Sequence, residues 1–131
     1  MNILDNIKGS PVRSERVYAG PSLGWIEAPI YQDTIITGDY TVQPWQSVIL
    51  CNLSAPATVT LPNLTTWLNQ GYSGWGGIFV KDVAGNAGAN NVTISPVAGA
   101  TINGLATYTI AANRAGILIR PRSDYAGWYT L

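Results

Sequence analysis

Apolar and polar positions in this chain alternate over short stretches, and a new stretch begins at intervals of roughly 8–12 residues. Ala57-Thr58-Val59-Thr60-Leu61 is the cleanest case; closed by Pro62, it predicts a strand with one buried face. Ser47-Val48-Ile49-Leu50-Cys51 is instead a continuous apolar run with β-branched members, which predicts a strand buried on both faces. Thr34-Ile35-Ile36-Thr37 and Tyr40-Thr41-Val42 flank the turn pair Gly38-Asp39. Further strands are expected at residues 77–81, 91–94, 100–103, 107–110, 116–120 and 127–130. Only residues 63–70 have room for a helical turn or two. Many short strands at this spacing predict an all-β domain over residues 34–131, read as an antiparallel β-sandwich of jelly-roll type.

Residues 1–33 do not share that pattern. Pro11, Pro21 and Pro29, with Gly9, Gly20 and Gly24, interrupt any helical or strand period, so an extended N-terminal arm is expected. The arm is nevertheless rich in Val17, Tyr18, Leu23, Trp25, Ile26, Ile30 and Tyr31, side chains that must be buried against something. One outcome is an arm folded back on its own sheet edge; the other is an arm laid on a partner, where buried aromatic area offsets ordering entropy. For the second, Tyr18, Trp25, Ile26 and Tyr31 are the expected anchors. Arg13 and Arg16, either side of Glu15, would set the register through charge-assisted contacts.

Charge sharpens this picture. Seven basic and seven acidic residues cancel, so no basic field gathers a phosphate backbone, and nucleic acid is not an expected partner. From Tyr40 to Asn113 the only charges are Lys81 and Asp82. A body so poor in charge makes an unfavourable free surface, which points to small polar groups coating it or to partner subunits covering it. With no His and one Cys, the chain lacks the commonest general base, an ordinary zinc site and any internal disulfide. No stretch reaches the length of a membrane span, and the first residues lack the apolar run of a signal peptide. The expectation is a reduced, soluble protein made in the cytoplasm, with neither cofactor nor metal.

The remaining chemical motifs are read as structural. The loop Asp82-Val-Ala-Gly85-Asn86-Ala-Gly-Ala-Asn90-Asn91 has a single acid, where calcium loops use several; a hairpin loop with left-handed Gly and Asn explains it. In that loop Asp82 is expected to accept backbone hydrogen bonds ahead of Gly85 and Asn86, with Asp82→Asn mild in effect. Gly71-Tyr-Ser-Gly74-Trp-Gly76-Gly77 precedes a β-branched strand instead of a helix, so it fails as a phosphate cradle. Asp39, Asp82 and Asp124 each stand beside a turn signal, which favours capping over paired-carboxylate catalysis. Of the five Trp, most are expected in a core or interface, Trp128 in or beside the core; exposed ones would stack on sugars.

In order, Thr58-Val-Thr-Leu-Pro62, Lys81-Asp-Val-Ala-Gly-Asn-Ala87, Asn90-Asn-Val-Thr-Ile-Ser95, Ala100-Thr-Ile-Asn-Gly104 and Gly127-Trp-Tyr-Thr-Leu131 form a recognisable series. It resembles a β-structured module of bacteriophage virion proteins, found in tail fibres, tailspikes and small capsid-surface proteins. The resemblance spans about residues 34–131 and departs at Arg120-Pro-Arg-Ser-Asp-Tyr125, where the module has a shorter turn. It implies a non-enzymatic homotrimer on the virion surface, contacting the major capsid protein or other virion subunits. A capsid decoration (cement) protein docking through its arm is the first expectation, and a tail-tip or head-fibre protein the next. A host-glycan-binding module, or a small glycan-cleaving enzyme using two carboxylates, would be answers of a different class.

Overall fold

The computed structural model describes residues 14–18, 25–29, 33–69 and 76–131. Contacts divide the chain into two compact units, Met1–Gln32 and Asp33–Leu131. In the first, β1 (Ser14–Tyr18) and β2 (Trp25–Pro29) pair antiparallel, with Arg16 opposite Glu27, Val17 opposite Ile26 and Tyr18 opposite Trp25. The expected interruption of any strand period therefore does not hold here. In a two-stranded ribbon each strand is an edge, so a terminal Pro29 without an N–H is tolerated.

The second unit contains β3 (Thr34–Ile36), β4 (Tyr40–Thr41), β5 (Val48–Cys51), β6 (Ala57–Thr60), α1 (Leu64–Asn69), β7 (Ile78–Asp82), β8 (Val92–Ser95), β9 (Tyr108–Ile110), β10 (Gly116–Pro121) and β11 (Trp128–Thr130). These strands form a five-stranded sheet in the order β11-β10-β7-β5-β3 and a four-stranded sheet in the order β4-β6-β8-β9. The chain passes from one sheet to the other and back: β3 to β4, β5 to β6, β7 to β8. Each return lays a strand beside its predecessor, so β3, β5 and β7 pair parallel, as do β4, β6 and β8. Parallel neighbours need a crossover, and here a strand of the opposite sheet provides it.

The domain is thus all-β with mixed sheets, and the antiparallel expectation is corrected. Among the described residues of the second unit, only β7–β10, β10–β11 and β8–β9 pair antiparallel. The strand periodicity was a sound guide to where strands lie, but it carries no information about their partners. The loop after Asp82 consequently is no hairpin, since β7 and β8 belong to different sheets. The strand expected at residues 100–103 reduces to a single bridge at Ile102.

Both sheets contribute to one hydrophobic core. From the five-stranded sheet come Ile36, Ile49, Cys51, Ile78, Val80, Ile119 and Trp128; from the four-stranded sheet come Ala57, Val59, Val92, Ile94 and Ile110. The helix α1 begins where the Asn63 side chain accepts a hydrogen bond from the Thr66 N–H at 3.2 Å, an N-terminal cap. It buries Leu64 and Trp67, and the Trp67 ring lies 6.1 Å from that of Trp128 at 60°.

Candidate functional site

The most organised polar centre of the domain is the end of β7. Asp82 is only 2% exposed. One carboxylate oxygen accepts from the N–H groups of Ala84 (3.1 Å) and Gly85 (3.0 Å); the other accepts from Ala87 (2.9 Å) and Arg114 (3.0 Å). Burial alone would push this carboxyl upward, but the N–H groups of Arg114, Ala87, Gly85 and Ala84 together hold it below its ordinary value. The turn-organising contacts expected of Asp82 are therefore present, with Gly85 in the left-handed region at φ 80°. Asn86 helps differently: its side-chain amide donates to the Leu53 carbonyl.

The expected mildness of Asp82→Asn is not supported by this geometry. An amide offers one acceptor oxygen, and its NH₂ would face two N–H donors. Arg114 was not singled out from sequence, yet it joins the same junction from the loop between β9 and β10. Its guanidinium donates to the Val83 carbonyl at 2.6 Å, and its own carbonyl accepts from the Lys81 ammonium. Nothing in the pattern around Arg114 marks it, because the contact crosses between distant stretches of chain. Cys51, level with Asp82 in the β5–β7 register, is fully buried. Burial, and then the Asp82 charge, push its thiol up to about 11.

A second polar cluster ties the last strand. Asn103 (φ 54°) and Gly104 (φ 78°) form a two-residue turn closed by reciprocal 2.9 Å backbone bonds between Ile102 and Leu105. Asn103 also donates from its amide to the Thr130 hydroxyl (2.9 Å) and accepts from the Thr130 N–H (3.1 Å). Its N–H donates to the Trp128 carbonyl at 2.9 Å. The Asn-Gly pair is itself a strong turn signal, so Asn103 was within reach of sequence reasoning. Gly127 (φ 152°) is required here because a Cβ would lie 2.9 Å from the Thr101 carbonyl oxygen. Trp128, placed by these contacts, is buried against Trp67.

What faces solvent carries less chemistry. Asp39 accepts from the Thr58 N–H, and Asp124 accepts from the Ala126 N–H and pairs with Arg122 at 2.7 Å. The Ala126 N–H, with Arg122, holds the Asp124 carboxyl below its ordinary value. A shallow cleft of about 540 Å³ runs beside Leu68, Arg120, Arg122, Ser123 and Tyr129. With Arg122 paired to Asp124, this cleft offers a polar surface without an assembled acid–base pair among the described residues. Of the Trp side chains described, Trp67 and Trp128 are buried and Trp45 is 40% exposed.

The proposed docking anchors are only partly placed. Arg16, Tyr18, Trp25 and Ile26 lie on the β1–β2 ribbon, Arg16 and Tyr18 on one strand and Trp25 and Ile26 on the other. Arg13 and Tyr31 lie outside the described residues, as do residues 70–75 of the glycine-rich loop. Neither a family model nor a curated protein matches the chain.

Proposed function

We propose that this chain is a non-enzymatic structural part of a bacteriophage virion, a capsid decoration protein assembled as a homotrimer of sandwich-like modules. The observation that carries the reading is how the residues of the phage-like motifs are used. Asp82 holds its loop with four hydrogen bonds, Asn103 and Gly104 build the turn that fastens the last strand, and Trp128 fills the core. These motif residues serve the scaffold, and so do Asp39, which accepts from the Thr58 N–H of β6, and Asp124, which accepts from the Ala126 N–H. In this reading the N-terminal unit docks on the major capsid protein through Arg13, Arg16, Tyr18, Trp25, Ile26 and Tyr31.

The test is reconstitution. Capsids lacking this protein are mixed with the purified chain, sedimented, and assayed for bound protein. Saturable binding by the full chain, lost when residues 1–33 are deleted from a still-folded body, is the expected result. Full-length protein that never binds capsids overturns the decoration reading, and a truncated body that binds normally overturns the docking role of the arm. Assembly on tails or head fibres is the neighbouring outcome of the same experiment. A glycan-binding role is a second reading, favoured by the exposed indole of Trp45. Quenching of Trp fluorescence by host glycans, abolished in Trp45→Ala, would establish it.

A further inference from the structure

The outer faces of the two sheets are chemically opposite. On the four-stranded sheet the outward positions are hydroxyl-bearing: Thr58 beside Thr93 and Thr109, and Thr60 beside Ser95. Such a face is suited to water. On the five-stranded sheet, the positions that alternate with the core residues are Ile35, Val48, Leu50, Phe79 and Leu118. The ladder places Ile35 beside Leu50, and Val48 beside Phe79 beside Leu118. Leu131 extends the second row, its N–H donating to the Leu118 carbonyl. Val48 is itself only 8% exposed; the other five lie outside the core cluster. Ile35 is 63% exposed and Leu131 73%. The Phe79 ring lies over Gly116, where a Cβ would come within 2.9 Å of it, so the aromatic surface spreads flat across β10.

We propose that copies of this chain associate with one another through this apolar face of the five-stranded sheet. The inference rests on the self-assembly proposed above and names its interface. Charge decides the partner. No carboxylate lies at the outward positions of these strands; Lys81 is turned to the Arg114 carbonyl, and Arg120 lies toward the margin beside Tyr129. A surface with an apolar centre and a polar margin is complemented by another neutral apolar sheet, and a second copy of a chain with net charge +0 supplies one. Width agrees as well. Five strands at about 4.8 Å make a face roughly 19 Å across, and three such faces closed into a triangle put each sheet about 5.5 Å from the axis. That is close to half of the roughly 10 Å between packed sheets, so the side chains would fill the centre without a void.

The experiment is sedimentation equilibrium of the full chain at micromolar concentration, for the wild type, Ile35→Lys, Phe79→Asp and a control, Thr109→Lys, on the opposite sheet. The wild type and Thr109→Lys are expected at two or three times 14.0 kDa, and both face variants at 14.0 kDa with native near-ultraviolet circular dichroism. Ile35 is exposed on an edge strand, so Ile35→Lys reports on association even where Phe79→Asp fails to fold. A dimer dispersed by Ile35→Lys upholds this face while overturning the trimer. A folded Ile35→Lys that stays assembled like the wild type overturns the face alone. Wild type at 14.0 kDa overturns both, whatever else then covers the sheet.

Discussion

Replacing Asp82 by Asn changes one atom's chemistry and nothing of the side chain's shape, which makes it a sharp test of the β7 junction. In the native loop both carboxylate oxygens accept two N–H bonds each. The amide must present its NH₂ to one of those pairs. It will face Ala84 and Gly85, which are partly exposed, and leave the oxygen to Ala87, which is buried, and Arg114. Two N–H groups then lose their acceptor, and the two retained bonds lose their charge assistance. At about 1–3 kcal/mol for an unsatisfied buried donor, discounted because water reaches part of this loop, the loss is about 2–4 kcal/mol. Urea unfolding followed by Trp fluorescence at neutral pH measures it directly. The sign with pH follows from the carboxyl being held below its ordinary value. As pH falls below about 4, the unfolded chain takes up the proton first, so the wild type loses this contribution on the way down to the folded value. The variant lacks that part of the acid slope. An unfolding free energy within about 0.5 kcal/mol of wild type, or an unchanged acid slope, would refute the account.

Three further outcomes are expected. Trp128→Ala, which removes a buried indole packed on Trp67, should cost about 3–5 kcal/mol in the same urea assay and alter the near-ultraviolet circular dichroism. Cys51 should resist thiol reagents in the native state, and because its folded value is raised to about 11, stability should decline as pH rises from about 8.5 toward that value, a slope absent in Cys51→Ala. Asn103→Gly keeps the left-handed backbone but loses the bonds to Thr130, for about 1 kcal/mol, while Asn103→Ala adds backbone strain and should cost about 2 kcal/mol by urea unfolding.

The strands of residues 34–131 were legible because a half-buried strand must alternate, as Ala57–Thr60 does, whatever lies beside it. Their partners were not legible, since the Gly- and Asn-rich loop after Asp82 would have served a hairpin as well as it serves a change of sheet. One signal of parallel order was nevertheless present. The unbroken apolar run Val48–Cys51 is how a strand reads when both faces are covered, the usual condition of parallel sheets. The same break in alternation recurs at Phe79 and Leu118, the ladder neighbours of Val48, although Leu118 stands on β10, which pairs antiparallel. An apolar residue out of phase is easily passed over as noise in a strand pattern. Here three of them fall side by side only once the register is known, and together they make the second face of the sheet. The Asp82 junction was half legible for a related reason: Asp82 and Gly85 stand together and announce a turn, whereas Arg114, which completes it, arrives from the loop between β9 and β10, 32 residues on. Local chemistry can be read along the chain, but what distant strands make together depends on their register.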